Sequence, residues 1–131
     1  LLVNQIDRLD ALLARRQALA ERYDRGLRGT PGLERPQAVG KTAQHLYTIW
    51  VDPDRRDEIL HQLQERHVGV AVNYRAIHTL RYFRETFGYV PEDFPVANRI
   101  GQRTISLPLY PKLTEDELDY VVAQVREVVA G

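Results

Sequence analysis

The chain of 131 residues contains no cysteine. It therefore needs no disulfide to fold, and it has neither a thiol nucleophile nor a thiolate metal site. Net charge is missing too: Lys plus Arg is 18 and Asp plus Glu is 18. That balance removes the broad electrostatic footprint of a nucleic-acid binder. No apolar run approaches the roughly 20 residues needed to cross a bilayer. The opening stretch LLVNQIDRLDALLARR lacks the basic region followed by an apolar block that marks a signal peptide. The expectation is a soluble, cytoplasmic protein. Lysine is scarce, with only Lys41 and Lys112, so chemistry that needs a lysine amine has two candidates. An initial Met is also missing, and the chain starts inside a helical pattern with no capping residue, which suggests a cut from a longer chain.

What is present suffices for a core. Apolar residues make up 44% of a length suited to one domain. Leu2, Ile6, Leu9, Leu13, Leu19, Tyr23 and Leu27 recur at helical spacing and predict a long first helix over residues 1–28, closed by Gly29. The Pro- and Gly-bearing segment 30–42 reads as a connection. HLYTIWV, residues 45–51, is aromatic and β-branched and predicts a strand. Asp54 can cap a helix that runs to about Arg66, with Ile59, Leu60 and Leu63 inward. A second strand is expected at Val70–Asn73, a short helix at about Thr79–Phe87, and a helical turn or two at Val96–Gln102. A third strand is expected at Thr104–Leu107. TEDE, residues 114–117, is a capping box that opens a last helix with Leu118, Val121, Val122, Val125 and Val129 as its stripe. The fold class is α+β, a small three-stranded sheet flanked by helices.

Most motifs read as ordinary structure. AVGKT, residues 38–42, resembles a phosphate loop only in its last three letters. The glycine required five residues earlier is Arg35, and the segment precedes a strand. His45, His61, His67 and His78 form no i, i+4 zinc pair. His61 and His67 read as a solvated helix face, and His45 as a structural strand start. Ser106 has no nucleophile elbow. The basic and aromatic alternation in LRYFRETFGY reads as Leu80, Tyr82, Phe83 and Phe87 packing a short helix while Arg81 and Arg84 stay wet. One stretch stays open between a site and a polar turn: VNYRAIH, residues 72–78, at a strand end before a helix. Asn73 can donate and accept, Tyr74 can stack, Arg75 can pair with phosphate, and His78 can move a proton.

Four segments in one order, QIDRLDALLARRQALAERYDRGL, QHLYTIWV, AIHTLRYFRETFGY and ISLPLYPKLTEDELDYVVAQV, resemble the C-terminal part of the DegT/DnrJ/StrS family. The resemblance runs from about Gln5 to Val128. It implies the small C-terminal domain of a fold-type-I, pyridoxal-phosphate (PLP)-dependent aminotransferase, with residues 1–131 as one domain whose first helix joins a large cofactor-binding domain. It further implies transfer of an amino group from glutamate to a nucleotide-linked keto sugar, for polysaccharide, lipopolysaccharide or glycan synthesis, by a homodimer. Neither Lys41 nor Lys112 sits in the family's Schiff-base motif, so this portion is expected to be inert alone, with no catalytic residue of its own. Asn73 stands where relatives often have His, Tyr74 matches a Tyr or Phe, His78 matches a later His, and Arg75 is often Pro. These four are the expected substrate-binding residues. Asn keeps a donor but loses a titratable group, so Asn73 positions rather than exchanges protons. A free-standing ligand-binding or dimerisation module is the alternative. No nucleic-acid, membrane or metal partner is expected.

Overall fold

The capping box at the last helix forms as its letters predict. The Glu117 N–H donates to Thr114 Oγ1 at 3.2 Å, and the Thr114 N–H donates to Glu117 Oε2 at 2.8 Å. In the computed structural model, which describes residues 6–37, 40 and 42–131, seven regular elements follow one another: α1 (Leu9–Gly26), β1 (Tyr47–Trp50), α2 (Arg56–Glu65), α3 (Arg81–Phe87), α4 (Pro95–Arg103), β2 (Thr104–Leu107) and α5 (Glu115–Ala130). The start of the expected first helix at residues 1–5 lies outside the described residues, as do positions 38, 39 and 41 of AVGKT.

β1 and β2 pair antiparallel, with Ile49 opposite Ile105 and Thr48 opposite Ser106. This two-stranded sheet is narrower than the three strands expected. The segment around Val70 does reach the free edge of β2, but only Ala71 bridges, exchanging both backbone hydrogen bonds with Ser106 at 2.8 and 3.3 Å. The chain turns away at Asn73–Tyr74 before a second pair can form. Glu34 makes a similar single bridge to Trp50 on the far edge. β2 is therefore covered on both sides, and all four of its residues are buried.

α1 and α2 both pack on α5, and α2 also touches β2 while α4 touches β1. Tyr23, Leu19, Ile59, Leu63, Leu118 and Val125 fill the interior between them. Tyr23 stacks on Tyr47 with ring centroids 4.6 Å apart. Each phenol has a partner: Tyr23 donates to the Pro108 carbonyl at 2.9 Å and Tyr47 to Asp24 at 2.8 Å. Burial pushes both phenols above their ordinary pKa. Gly26 allows α1 to approach α5, since a Cβ there would lie 2.9 Å from Val122 Cγ1.

Arginine side chains tie the helices across the surface. Arg22 of α1 holds Asp119 with both arms, at 2.8 and 2.6 Å, and reaches Glu115 at 2.7 Å. Arg55 donates to the Val128 and Val129 carbonyls, the unfilled acceptors at the end of α5.

Two expected helix boundaries differ in detail. Gly29 is left-handed at φ 71°, but α1 has ended at Gly26 with Leu27 as its cap. Asp54 does not cap α2. Asp52 accepts the Asp54 N–H at 2.9 Å instead, closing a tight turn, and Arg55 is the cap residue.

Candidate functional site

VNYRAIH begins where the Ala71 bridge ends. The Asn73–Tyr74 peptide is cis, and the chain then runs extended through Ala76 into a single helical turn at Ile77–Thr79. Thr79 closes that turn, its hydroxyl donating to the Ala76 carbonyl at 2.7 Å. Helix α4 presses on the same point. A Cβ on Gly101 would lie 2.6 Å from the Ala76 nitrogen, so only glycine lets the two backbones meet this closely.

The four expected residues diverge from this turn. Tyr74 projects outward and is 71% exposed, while Asn73 is half-buried. Arg75 is exposed on the rim of a cleft of about 230 Å³ that it shares with Arg56, Asp57, Asn98 and Gln102. His78 turns inward and is buried. It borders a different, largely apolar cavity of about 310 Å³ with Phe83, Tyr89 and Phe94, its ring 5.0 Å from that of Phe94. Among the described residues, no group hydrogen-bonds its Nε2. Arg75 and His78 thus serve two separate cavities.

The aromatic residues that follow pack on one another. Tyr82 and Phe87 each pack edge-on or stacked against Phe83, and Phe87 stacks on Tyr89 at 5.5 Å. They pack on the surface of this short helix and do not join the core, since Tyr82 is 64% exposed and no residue of α3 is buried. Arg81 is wet, as expected, and pairs with Glu85 at 2.8 Å. The other histidines stay peripheral. His61 is exposed on α2, and exposed His45 precedes β1 and offers its carbonyl to Arg16 at 3.3 Å. His67 lies beyond the end of α2 in a left-handed conformation rather than on its face.

Sequence reasoning missed Arg56, Asn98 and Gln102. Arg56 opens a helix, where arginine is ordinarily solvated, yet its side chain is only 10% exposed. Asn98 and Gln102 had one available signal, their i, i+4 spacing on α4, which puts them on the face that Gly101 shares.

This architecture, a two-stranded antiparallel sheet with five helices, is shared with solved sugar aminotransferases. The chain belongs to the DegT/DnrJ/EryC1/StrS aminotransferase family, which matches residues 1–126. It is 36% identical to the spore coat polysaccharide biosynthesis protein SpsC of Bacillus subtilis over 98% of this chain and 35% of the relative. Among solved structures it is similar to S. venezuelae DesV, solved in complex with a ketimine intermediate, at 30% identity and a TM-score of 0.86, over 96% of this chain and 34% of that one. Spr1654 of Streptococcus pneumoniae, solved in PLP and PMP forms, is 28% identical with a TM-score of 0.87, over 97% of this chain and 33% of that one. The chain spans about a third of the length of these relatives. Family membership favours the aminotransferase reading over the free-standing module.

PLP attaches through a lysine amine, and an acid partners its pyridine nitrogen. Lys41 lies outside the described residues. Lys112 is exposed and borders a groove of about 630 Å³ with Arg8, Arg15 and Tyr110, a set with no carboxylate. The described residues do not fit covalent attachment of the cofactor, and no step through it is assigned to them.

Proposed function

We propose that this chain is the C-terminal domain of a cytoplasmic, homodimeric, PLP-dependent aminotransferase. That enzyme moves an amino group from glutamate to a nucleotide-linked keto sugar for polysaccharide, lipopolysaccharide or glycan synthesis. One observation carries the reading: residues 1–126 match the aminotransferase family in a chain about one third as long as its relatives. The cofactor, its lysine and its acid partner then belong to the larger remainder of the protein.

The exposed apolar surface supports this arrangement. Tyr74, Ile77, Leu80, Tyr82 and Phe87 lie close in sequence and are all exposed, a concentration that marks a surface meant to be covered. In this reading the large domain or the second subunit covers most of it, and Tyr74 remains as a wall of the substrate site. Tyr74 packs against the sugar nucleotide, Asn73 orients it by hydrogen bonding, and Arg75 faces a phosphate, where a guanidinium can bind two oxygens at once. His78 shapes the apolar wall behind them. Excluding water from the reacting centre is the contribution of such a wall.

The test is a split kinetic measurement on the complete protein. Tyr74→Ala is expected to raise KM for the sugar nucleotide about tenfold, as the loss of one packed aromatic contact implies. The half-reaction with glutamate, followed by the absorbance of the bound cofactor, should stay unchanged. A protein that fails to react with glutamate at all would sink the enzymatic reading. An unchanged KM would sink the role of Tyr74.

A further inference from the structure

The cleft at Arg75 holds a buried cation whose donors are not all filled among the described residues. Arg56, at the start of α2, is 10% exposed at its side chain. Its Nη1 makes only a long contact with the Gly101 carbonyl at 3.5 Å. Its Nε lies 2.7 Å from Asp57 Oδ1, but the N–H does not point along that line, so the contact is an ion pair without a hydrogen bond. A guanidinium carries five N–H donors, and a buried one is normally hydrogen-bonded. The Asp57 side chain is 81% exposed, so water screens much of the charge it offers.

Other donors converge on the same space from different elements. Arg75 adds a second guanidinium from the strand-end turn, and Asn98 and Gln102 add side-chain amides one turn apart on α4. Thr79 is already committed as a donor to Ala76 and can only accept. Two cations face one carboxylate, which leaves the cleft net positive. A water occupies about 30 Å³, so the cleft volume of about 230 Å³ admits a phosphoryl group with some of its water.

We propose that this cleft binds a phosphoryl group, as free phosphate or as the end of a phosphoester. Arg56 and Arg75 grip its oxygens, and Asn98 and Gln102 donate amide N–H from α4. Donors arriving from three elements suit a tetrahedral oxyanion better than a planar carboxylate. Arginine is the residue whose planar fork matches phosphate in this way. Gly101 is part of the device, because it seats α4 against Ala76 and so sets the distance between the two arginines. The proposal extends the role given above to Arg75, but the cleft holds its anion whether or not amino transfer occurs.

Calorimetric titration of the complete protein with inorganic phosphate, and separately with UMP at the same ionic strength, tests it. Arg75→Gln is expected to weaken phosphate binding about tenfold, as loss of a charge-assisted hydrogen bond implies. Arg56→Lys keeps the charge and loses the fork, and should weaken it comparably. Gln102→Ala should weaken it about threefold, as a neutral hydrogen bond implies. Lys112→Ala, in the other groove, should change nothing. Arg75 and Gln102 are exposed, so their variants test the cleft even if Arg56→Lys fails to fold. Equal affinities for phosphate and UMP identify free phosphate as the ligand. Tighter UMP binding, lost in the same variants, identifies a phosphoester. The proposal is overturned if the wild type shows no saturable phosphate binding, or if Arg75→Gln and Gln102→Ala both bind within twofold of it. Amino transfer is assayed in parallel. Phosphate binding without transfer counts against the aminotransferase reading alone, and transfer without phosphate binding counts against the cleft alone.

Discussion

The sheet-centred body and the excursion from Tyr74 to Val96 are both rich in apolar side chains, and they use them in opposite ways. In the body, Ile49, Leu63, Ile105, Leu118 and Val125 are completely buried between the sheet and α1, α2 and α5. In the excursion, Leu80, Tyr82, Phe87, Phe94 and Val96 are all exposed, and His78 is buried among rings that are themselves half open to water. Apolar content alone therefore does not locate the core. What separates the regions is the number of layers. Every body helix packs on a neighbour or on the sheet, whereas α3 is a short helix that packs chiefly on the turn at Ile77–Thr79, its rings stacking on each other and on Tyr89. The body secures the fold, and the excursion is left free to meet something else.

The strongest way to break this contrast is to truncate one side chain in each region. Leu118→Ala is expected to cost about 3–4 kcal/mol, the usual loss for a fully buried leucine with a cavity left behind. Phe87→Ala, at 54% exposure, should cost less than about 1 kcal/mol. Denaturant midpoints at equal m-values for the complete protein check both. Comparable losses would mean that the excursion is part of the core, buried by whatever covers it, and that its folding is inseparable from that cover.

A smaller effect is expected at the seam between the regions. Gly101→Ala places a Cβ 2.6 Å from the Ala76 nitrogen. Backbone cannot swing aside as a side chain does, so the turn or α4 must shift, at about 1–3 kcal/mol. Gly26→Ala makes a less severe contact, with Val122 Cγ atoms at 2.9 and 3.0 Å, and these can move by rotation. It should cost less than Gly101→Ala. The same denaturant midpoints rank the two. If Gly26→Ala proves the more damaging, the tight point of the molecule is the α1–α5 contact and not the seat of the strand-end turn.

The two regions also differed in how well their letters announced them. The body was readable because its signals are redundant. The stripe of α5 and its capping box agree with each other, and the β-branched run at Tyr47–Trp50 has an equally apolar partner at Thr104–Leu107. Val70–Asn73 looked like a strand for the same reason, since Val70 is buried, but its length on the sheet was decided by the turn at Asn73–Tyr74 and not by its composition. In the excursion, spacing predicted that α3 exists and said nothing of its environment. Tyr82, Phe83 and Phe87 have helical spacing, and spacing says which residues share a face, not whether anything lies against it. The site was half visible. The polar burst at Asn73–Arg75 stood out, whereas the residues that meet Arg75 in space, Arg56, Asn98 and Gln102, lie about 20 positions or more away in the sequence and have no shared pattern with it.

The smallest expected effect concerns charge, and it sharpens the contrast because it belongs to the body. Asp119 is held below its ordinary pKa by hydrogen bonding to Arg22, which joins α5 to α1. The Thr114 backbone and hydroxyl lower Glu117, and Arg103 lowers Glu34 across the far sheet edge. A carboxylate whose folded pKa is depressed adds stability that is fully present above its unfolded pKa, near 4, and disappears as pH falls through the lower folded value. Melting temperature should therefore decline as pH falls below about 5. All three groups are exposed, so water and salt screen each contribution and the slope should be shallow. Asp119→Asn should lower the melting temperature at pH 7, and the difference from wild type should shrink at acid pH as the wild-type carboxylate takes up its proton. Added salt should shrink the difference at pH 7. A variant that is destabilised equally at both pH values would show that Asp119 acts through packing and hydrogen-bond geometry, and the charge link between α1 and α5 would lose its role in holding the body together.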